Sequence, residues 1–178
     1  MKFEILDKTR HKEVASLFTL VFSSSEGAQE GRLIGSLAAA LAARIDNREI
    51  IGVGACEDSR LLGALFFTRL RFDEPVDALL LAPVAVSTAH QGRGIGQALI
   101  RFGLDELKKR SATLVVTYGD PAFYAKVGFQ PLSEQVIRAP LPLSMPQGWL
   151  GQPLSGTAMP ILNSRPACVP EFDDPVYW

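Results

Sequence analysis

The chain has 178 residues, of which 47% are hydrophobic and 21% charged, and its formal net charge is −1. One domain with a sizeable core is expected at this length, and the near-neutral charge argues against both a nucleic-acid footprint and a polybasic membrane patch. The N-terminus, MKFEILDKTRHKE, alternates charge around no apolar signal core, and no apolar run is long enough to span a bilayer, so a soluble, cytoplasmic protein is expected.

Two cysteines, Cys56 and Cys168, make no disulfide framework. Two histidines, His11 and His90, with no CxxC or HExxH, argue against a zinc site.

Residues 3–6 read as a first strand. Asp7 or Thr9 is placed to cap a helix whose apolar face carries Val14, Leu17, Phe18 and Val21. The run Ser23-Ser24-Ser25-Glu26-Gly27 is expected to break that helix. An alanine-rich second helix is predicted over about residues 29–44. Residues 50–57 and 61–71 read as strands joined by a hairpin at Asp58-Ser59-Arg60. Cys56, in the first of these, reads as a small buried hydrophobe.

Residues 78–86 form an almost continuous apolar run, as in a strand covered on both faces. Proline cannot donate to a ladder, so Pro83 marks a bulge or a point where pairing stops. An amphipathic helix follows over 95–110, with Ile95, Leu99, Ile100, Phe102, Leu104 and Leu107 on its apolar face. Lys108, Lys109 and Arg110 close it at the negative end of its dipole. Residues 113–118 are the next strand. Gly119-Asp120-Pro121 then starts a short helix with Phe123, Tyr124 and Val127; Gly128 ends it, and Phe129 enters another strand.

After Pro131 prolines are frequent and periodicity fades; residues 156–162 read as a last edge strand. The predicted order, β-α-α-β-β-β-α-β-α-β with a tail, is a mixed α/β (α+β) fold: a largely antiparallel sheet with helices on both faces and one right-handed βαβ crossover. The reading is a single domain over 1–178, with a proline-rich C-terminal extension from about 140.

The joint between residues 78–86 and the next helix carries the chemistry. Its hexapeptide is Gln91-Gly92-Arg93-Gly94-Ile95-Gly96. A helix start offers N–H groups without intrahelical partners and a dipole that favours negative charge. Glycines let that backbone turn tightly and admit an anion with no Cβ in the way. Residues 91–96 therefore read as a pyrophosphate cradle. They are not a Walker A loop, because no Lys-Ser or Lys-Thr follows. Nor are they a dinucleotide fingerprint: Gln97 or Leu99 stands where the third glycine is needed, and Val115 and Val116 where the acid is. A nucleotide-binding α/β protein fails on those residues.

Three features together resemble the GNAT superfamily of acyl-CoA-dependent N-acyltransferases: Gln91-x-x-Gly94-x-Gly96 opening a helix, the strand Ala82-Pro83-Val84-Ala85-Val86 before it, and Phe123-Tyr124-Ala125-Lys126-Val127-Gly128-Phe129 one strand later. The run Gly119-Asp120-Pro121-Ala122-Phe123-Tyr124 is similar to that of the YhbS-type predicted acetyltransferases within it. The resemblance covers residues 50–132 most strongly. It implies a sheet splayed at the strand before the glycine loop, with acetyl-CoA as cofactor. It places the pantetheine arm along Val84, Ala85 and Val86 and the pyrophosphate on the amides of Gln91, Gly92, Arg93, Gly94, Ile95 and Gly96. It also has Arg93 and Lys126 reaching phosphate groups, with a solvated surface charge as the alternative for both.

The implied reaction is acetyl transfer from acetyl-CoA to a primary amine of a small molecule or protein, through a tetrahedral intermediate. Backbone N–H groups near Val84–Val86 would stabilise the oxyanion, and Tyr124 would protonate the leaving thiolate. No acid lies on residues 78–86, so the base stays open among Glu74, Asp77, Glu26, Glu30, Asp120, His90 and a water relay. Asp120 also reads as a helix cap. The second reading is a non-catalytic acyl-CoA-binding or regulatory module. The stretch 23–30 and the proline-rich tail are expected to wall the acceptor site. For Trp149 and Trp178, a homodimer contact, the substrate site and plain packing stay open, packing being the default.

Overall fold

The computed structural model describes residues 1–178, which form two compact units: residues 1–67 with 83–103, and residues 68–82 with 104–178. Hydrogen-bonded strand neighbours follow the order β1-β2-β3-β4-β5-β7-β6, where β1 is Lys2–Leu6, β2 Ile50–Glu57, β3 Arg60–Leu70, β4 Ala78–Val86, β5 Leu114–Tyr118, β6 Gln130–Pro131 and β7 Trp149–Pro153. Four helices accompany them: α1 His11–Glu26, α2 Ala28–Ala43, α3 Ile95–Lys109 and α4 Pro121–Ala125. The strands β3 and β4 and the helix α3 run unbroken from one unit into the other.

In the first unit β1 lies antiparallel to β2, from Lys2↔Cys56 to Leu6↔Gly52. The β2–β3 connection is a two-residue turn with φ of 48° at Asp58 and 65° at Ser59, the backbone that matches the twist of an antiparallel hairpin. Asp7 does cap: its carboxylate accepts the Thr9 N–H at 2.8 Å and opens a short turn that leads into α1.

The expected break at the serines does not occur. The helix α1 runs through Ser23, Ser24 and Ser25 to Glu26, and Gly27 alone, at φ 98°, separates it from α2. Packing explains this. A Cβ at Gly31 would sit 1.8 Å from the Ser23 hydroxyl oxygen, and one at Gly35 1.9 Å from that of Thr19. Small residues on both helices let their backbones meet, and that contact outweighs the low helix propensity of serine. The stretch 23–30, expected as a loop walling the acceptor, is therefore almost wholly helical.

In the second unit β4 pairs in parallel with β5 from Ala78↔Leu114 to Leu81↔Thr117. The strand β7 lies between β5 and β6, antiparallel to both. The expected edge strand over 156–162 is not formed; the last strand is Trp149–Pro153 instead. Its five residues include Gly151 and end on Pro153, so it lacks a long alternating pattern. Trp149 and Leu150, each 1% exposed, hold it by burial.

The tail is tied down by specific bonds. Arg71 and Ala167 exchange two backbone hydrogen bonds at 2.9 Å. Glu74, in the turn before β4, accepts the N–H groups of Asn163 at 2.6 Å and Ser164 at 3.0 Å, and the Ser164 hydroxyl as well.

Those bonds, the Ser164 hydroxyl foremost, hold the Glu74 carboxyl at about 2, well below its ordinary 4.5. A carboxyl depressed on folding adds stability above its unfolded value, and that stability is lost as pH falls through the folded one. The acid limb of the thermal stability profile between pH 4.5 and about 2 should therefore flatten in Glu74→Gln, with Tm at pH 7 lowered. An unchanged acid limb, followed by circular dichroism, would show that the tail is held by other means.

Candidate functional site

The first unit presents the glycine loop. The strand β4 changes character along its length: Ala78, Leu79, Leu80 and Leu81 are all buried, whereas beyond Ala82 burial alternates, with Pro83 and Ala85 covered and Val84 and Val86 half-buried. The parallel register with β5 ends at Leu81↔Thr117, while β4 continues to Val86. Pro83 therefore stands just past the parallel pair Leu81↔Thr117, as expected of a residue with no N–H to give.

After β4, Ser87 donates its N–H to the Leu62 carbonyl at 2.7 Å, and His90 its N–H to the Ser87 carbonyl at 2.8 Å. Gln91 is a strut. Its side-chain amide donates to the Val86 carbonyl at 3.0 Å, and its own N–H faces the Thr88 carbonyl at 3.4 Å. Gly92 and Gly94 then adopt φ of 75° and 76°, a backbone that favours glycine. Nothing lies within 4 Å of where a Cβ would stand on either. Ala98 makes the first helical bond, to the Gly94 carbonyl at 3.0 Å, so the N–H groups of Ile95, Gly96 and Gln97 precede the ladder of α3. No acid occupies the first turn to offset the dipole. Gly92, Arg93 and Gly94 are exposed. The arrangement is an open cradle of main-chain donors that a side chain on either glycine would fill, and it fits a diphosphate.

The second unit carries Tyr124 and Lys126. Asp120 caps α4 by accepting the Ala122 N–H at 2.9 Å, as one of its two sequence readings held, and Pro121 occupies the first turn. Lys126 is exposed at the other end of α4. Around Tyr124, Phe123 and Phe129 pack edge-on at ring distances of 5.0 and 5.6 Å. Gly119 leaves the remaining room, since a Cβ there would meet the Tyr124 ring at 2.8 Å.

The Thr117 side chain is a neighbour of the Tyr124 phenol. Thr117 is fully buried and donates to the Leu81 carbonyl at 2.7 Å. Burial raises the phenol above its ordinary 10.0; the Thr117 side chain acts in the opposite direction, and Asp120 adds to the rise. Tyr124 is thus a phenol whose burial favours the protonated form.

Sequence reasoning missed Thr117 and Gly119. Thr117 stands in the apolar strand LVVTY, where a hydroxyl has to find a buried acceptor; that is the signal it left.

Among the candidate bases, Asp77 pairs with Arg69, and its N–H donates to Thr113 Oγ1 at 3.0 Å. Glu74 is engaged by Ser164, and Asp120 by the helix cap. The His90 ring nitrogen Nδ1 lies 3.2 Å from Ser87 Oγ. Glu26 is exposed at the end of α1 and Glu30 half-buried in α2. Trp149 and Trp178 are both buried, with ring N–H groups given to the carbonyls of Ile137 and Phe172, each at 2.9 Å. Packing is their first role.

A crossover β4-α3-β5 with left-handed glycines at the start of α3, in a mixed and largely antiparallel sheet, defines an acyltransferase-type fold with an anion-binding helix start. The chain matches the acetyltransferase (GNAT) domain model over residues 38–131. It is 30% identical over 125 residues to the uncharacterized N-acetyltransferase YhbS of Escherichia coli K12, covering 69% of this chain and 71% of that one. It is 29% identical over 163 residues to the uncharacterized N-acetyltransferase YjhQ of the same strain, covering 88% and 86%. The chain belongs to the GNAT acetyltransferase family. The solved structure of E. coli YhbS in complex with CoA superposes with a TM-score of 0.79 at 23% identity, covering 97% of this chain and 92% of that one. A Brucella melitensis GNAT acetyltransferase in complex with acetyl-CoA gives 0.67 at 24% identity, covering 97% and 99%. These two share the fold.

Spectrophotometric titration should find one tyrosine ionising above the ordinary value of 10.0, absent in Tyr124→Phe. In Gly119→Ala the added methyl displaces the ring, and that titration should move back toward the ordinary value. A Tyr124 titration unaltered by the alanine would mean that Gly119 does not position the ring.

Proposed function

We propose that the chain transfers an acetyl group from acetyl-CoA to a primary amine of a small molecule or protein, and that residues 1–178 work as one acyltransferase domain. The observation that carries the reading is the open cradle at Gly92 and Gly94 before α3. In it the N–H groups of Gly92, Arg93, Gly94, Ile95 and Gly96 bind the diphosphate, and Gln91 braces the loop from Val86. The backbone of Val84, Ala85 and Val86 pairs with the pantetheine amides, which meets the need of main-chain groups for partners. Arg93 and Lys126 supply charge to the phosphates.

Acetyl-CoA, when bound, supplies an activated thioester carbonyl. The amine nitrogen attacks that carbon, a tetrahedral oxyanion forms, and main-chain N–H groups of β4 stabilise it. The carbon–sulfur bond then breaks. Tyr124 gives its phenolic proton to the departing sulfur, a role suited to a phenol that burial keeps protonated. The amine sheds its proton to water; Asp77, Glu74 and Asp120 are each held by a structural partner. We place the protein in the cytoplasm on its sequence character; no helix is long and apolar enough to cross a membrane.

The absence of any acid on β4 favours a second reading, an acyl-CoA-binding module without turnover. Release of CoA against a panel of amines separates the two: binding with no release across the panel supports the module.

Tyr124→Phe should lower kcat by about 100-fold, the scale of general-acid catalysis, with acetyl-CoA affinity unchanged. Unchanged turnover would remove the proton-donor role. Gly94→Val places a β-branched residue at φ 76° and puts its side chain in the cradle. With that side chain where the diphosphate would lie, CoA affinity should fall by about tenfold or more while the fold is kept. Wild-type affinity in that variant, by calorimetry, would overturn the cradle.

A further inference from the structure

The second unit contains a cavity of about 510 Å³ at the end of β5. Its volume lies within the range of small-molecule sites, about 300–1,000 Å³. Tyr118, the last residue of β5, forms one wall, stacked on Trp178 at a ring distance of 6.2 Å and an interplanar angle of 15°. Both rings are fixed from behind. The Tyr118 hydroxyl accepts the Met145 N–H at 2.6 Å and lies 3.1 Å from Ser144 Oγ, and the Trp178 ring N–H donates to the Phe172 carbonyl. Tyr177 adds a third ring. Met145 and Val176, 58% and 55% exposed, are large apolar side chains left open at this cavity.

The charge of the lining is one-sided. Asp120 is its only acidic side chain, and it has no basic one. Such a lining favours a cation over an anion. The cavity also adjoins the proposed proton donor. Gly119 lines it, and the same Gly119 touches the Tyr124 ring. Successive side chains of a strand point to opposite faces. Thr117 neighbours Tyr124 on one face of β5, and Tyr118 faces the cavity from the other.

We propose that this cavity is the acceptor pocket and that it selects primary amines carrying a flat aromatic group, the ring lying on the Tyr118–Trp178 pair and the ammonium toward Asp120. The inference rests on the acetyl-transfer reading and adds to it the class of acceptor. Prefixed walls lower the ordering cost of binding, so discrimination comes from shape. The tail thereby becomes a specificity element, because Val176, Tyr177 and Trp178 all belong to it.

The test compares CoA release from acetyl-CoA with tryptamine, 2-phenylethylamine and ethylamine, using the full chain and Val176→Trp and Met145→Trp. Both variants alter exposed side chains at the cavity, so the fold is kept and the space is filled. The aromatic amines should exceed ethylamine in kcat/KM by about tenfold or more, the scale of an apolar pocket. Either substitution should remove that preference, bringing kcat/KM for the aromatic amines down to that for ethylamine. Equal rates for all three amines, or variants that leave the preference intact, overturn the pocket while acetyl transfer stands. If acetyl-CoA is neither bound nor consumed, the transfer reading itself fails. Saturation-transfer NMR with tryptamine then decides the cavity alone: binding that Val176→Trp abolishes supports it, and no binding overturns it.

Discussion

The main-chain donors at the start of α3 are the constraint from which the functional architecture follows. A helix cannot satisfy its first N–H groups internally, and a water-exposed start normally recruits a serine, threonine or aspartate side chain to cap it. Here the position before Ile95 is a glycine at φ 76°, and the first turn holds no acid. The chain leaves its donors bare where a cap would be cheap to encode. It also invests in holding that bareness in place: Gln91 ties the loop back to Val86, and the Ser87 N–H ties the end of β4 to Leu62. A loop braced from both sides holds that glycine backbone, and the donors beyond it, in one place.

A second constraint concerns one phenol. Phe123 and Phe129 close around the Tyr124 ring, and Gly119 leaves it the room a Cβ would take. That burial outweighs the lowering by Thr117 and favours the protonated phenol. Thr117 itself is tied to the carbonyl of Leu81, the last residue of β4 in parallel register with β5. Packing at the end of β5 and protonation of the side chain are therefore set together.

Most of the fold was legible in the sequence, for reasons that particular elements make plain. The run 78–86 was readable because burial on both faces demands unbroken apolar residues, and Pro83 because a missing N–H forbids pairing. The glycine turn was readable because left-handed backbone at residues 92 and 94 is a glycine preference. Ser23–Ser25 misled, because local propensity argued for a break, whereas the deciding term was the contact of Ser23 with Gly31, eight residues on. The strand β7 was hidden in the same way. Five residues flanked by prolines carry no period, and only the burial of Trp149 and Leu150 between β5 and β6 makes them a strand. Thr117 could not be placed beside Tyr124 from sequence, because that depends on which face of β5 meets α4.

The place of β7 changes what the C-terminal stretch is. An extension is an addition to a finished sheet, but here residues 149–153 separate β5 from β6, so the second unit has no complete sheet without them. The chain must then return past Gly151 and across the turn before β4, where Glu74 and Arg71 bind it, before its last residues reach the end of β5. Arg71 and Ala167 fix that path by backbone hydrogen bonds, and the Glu74 side chain fixes it by accepting the Asn163 and Ser164 N–H groups. Tyr118 receives Trp178 as a stacking partner only because the preceding bonds bring the tail there. The cavity wall and the sheet interior are thus two ends of one continuous path, and variation in the tail cannot alter the first without stressing the second. Freedom remains at Val176 and Met145, whose side chains carry none of that load.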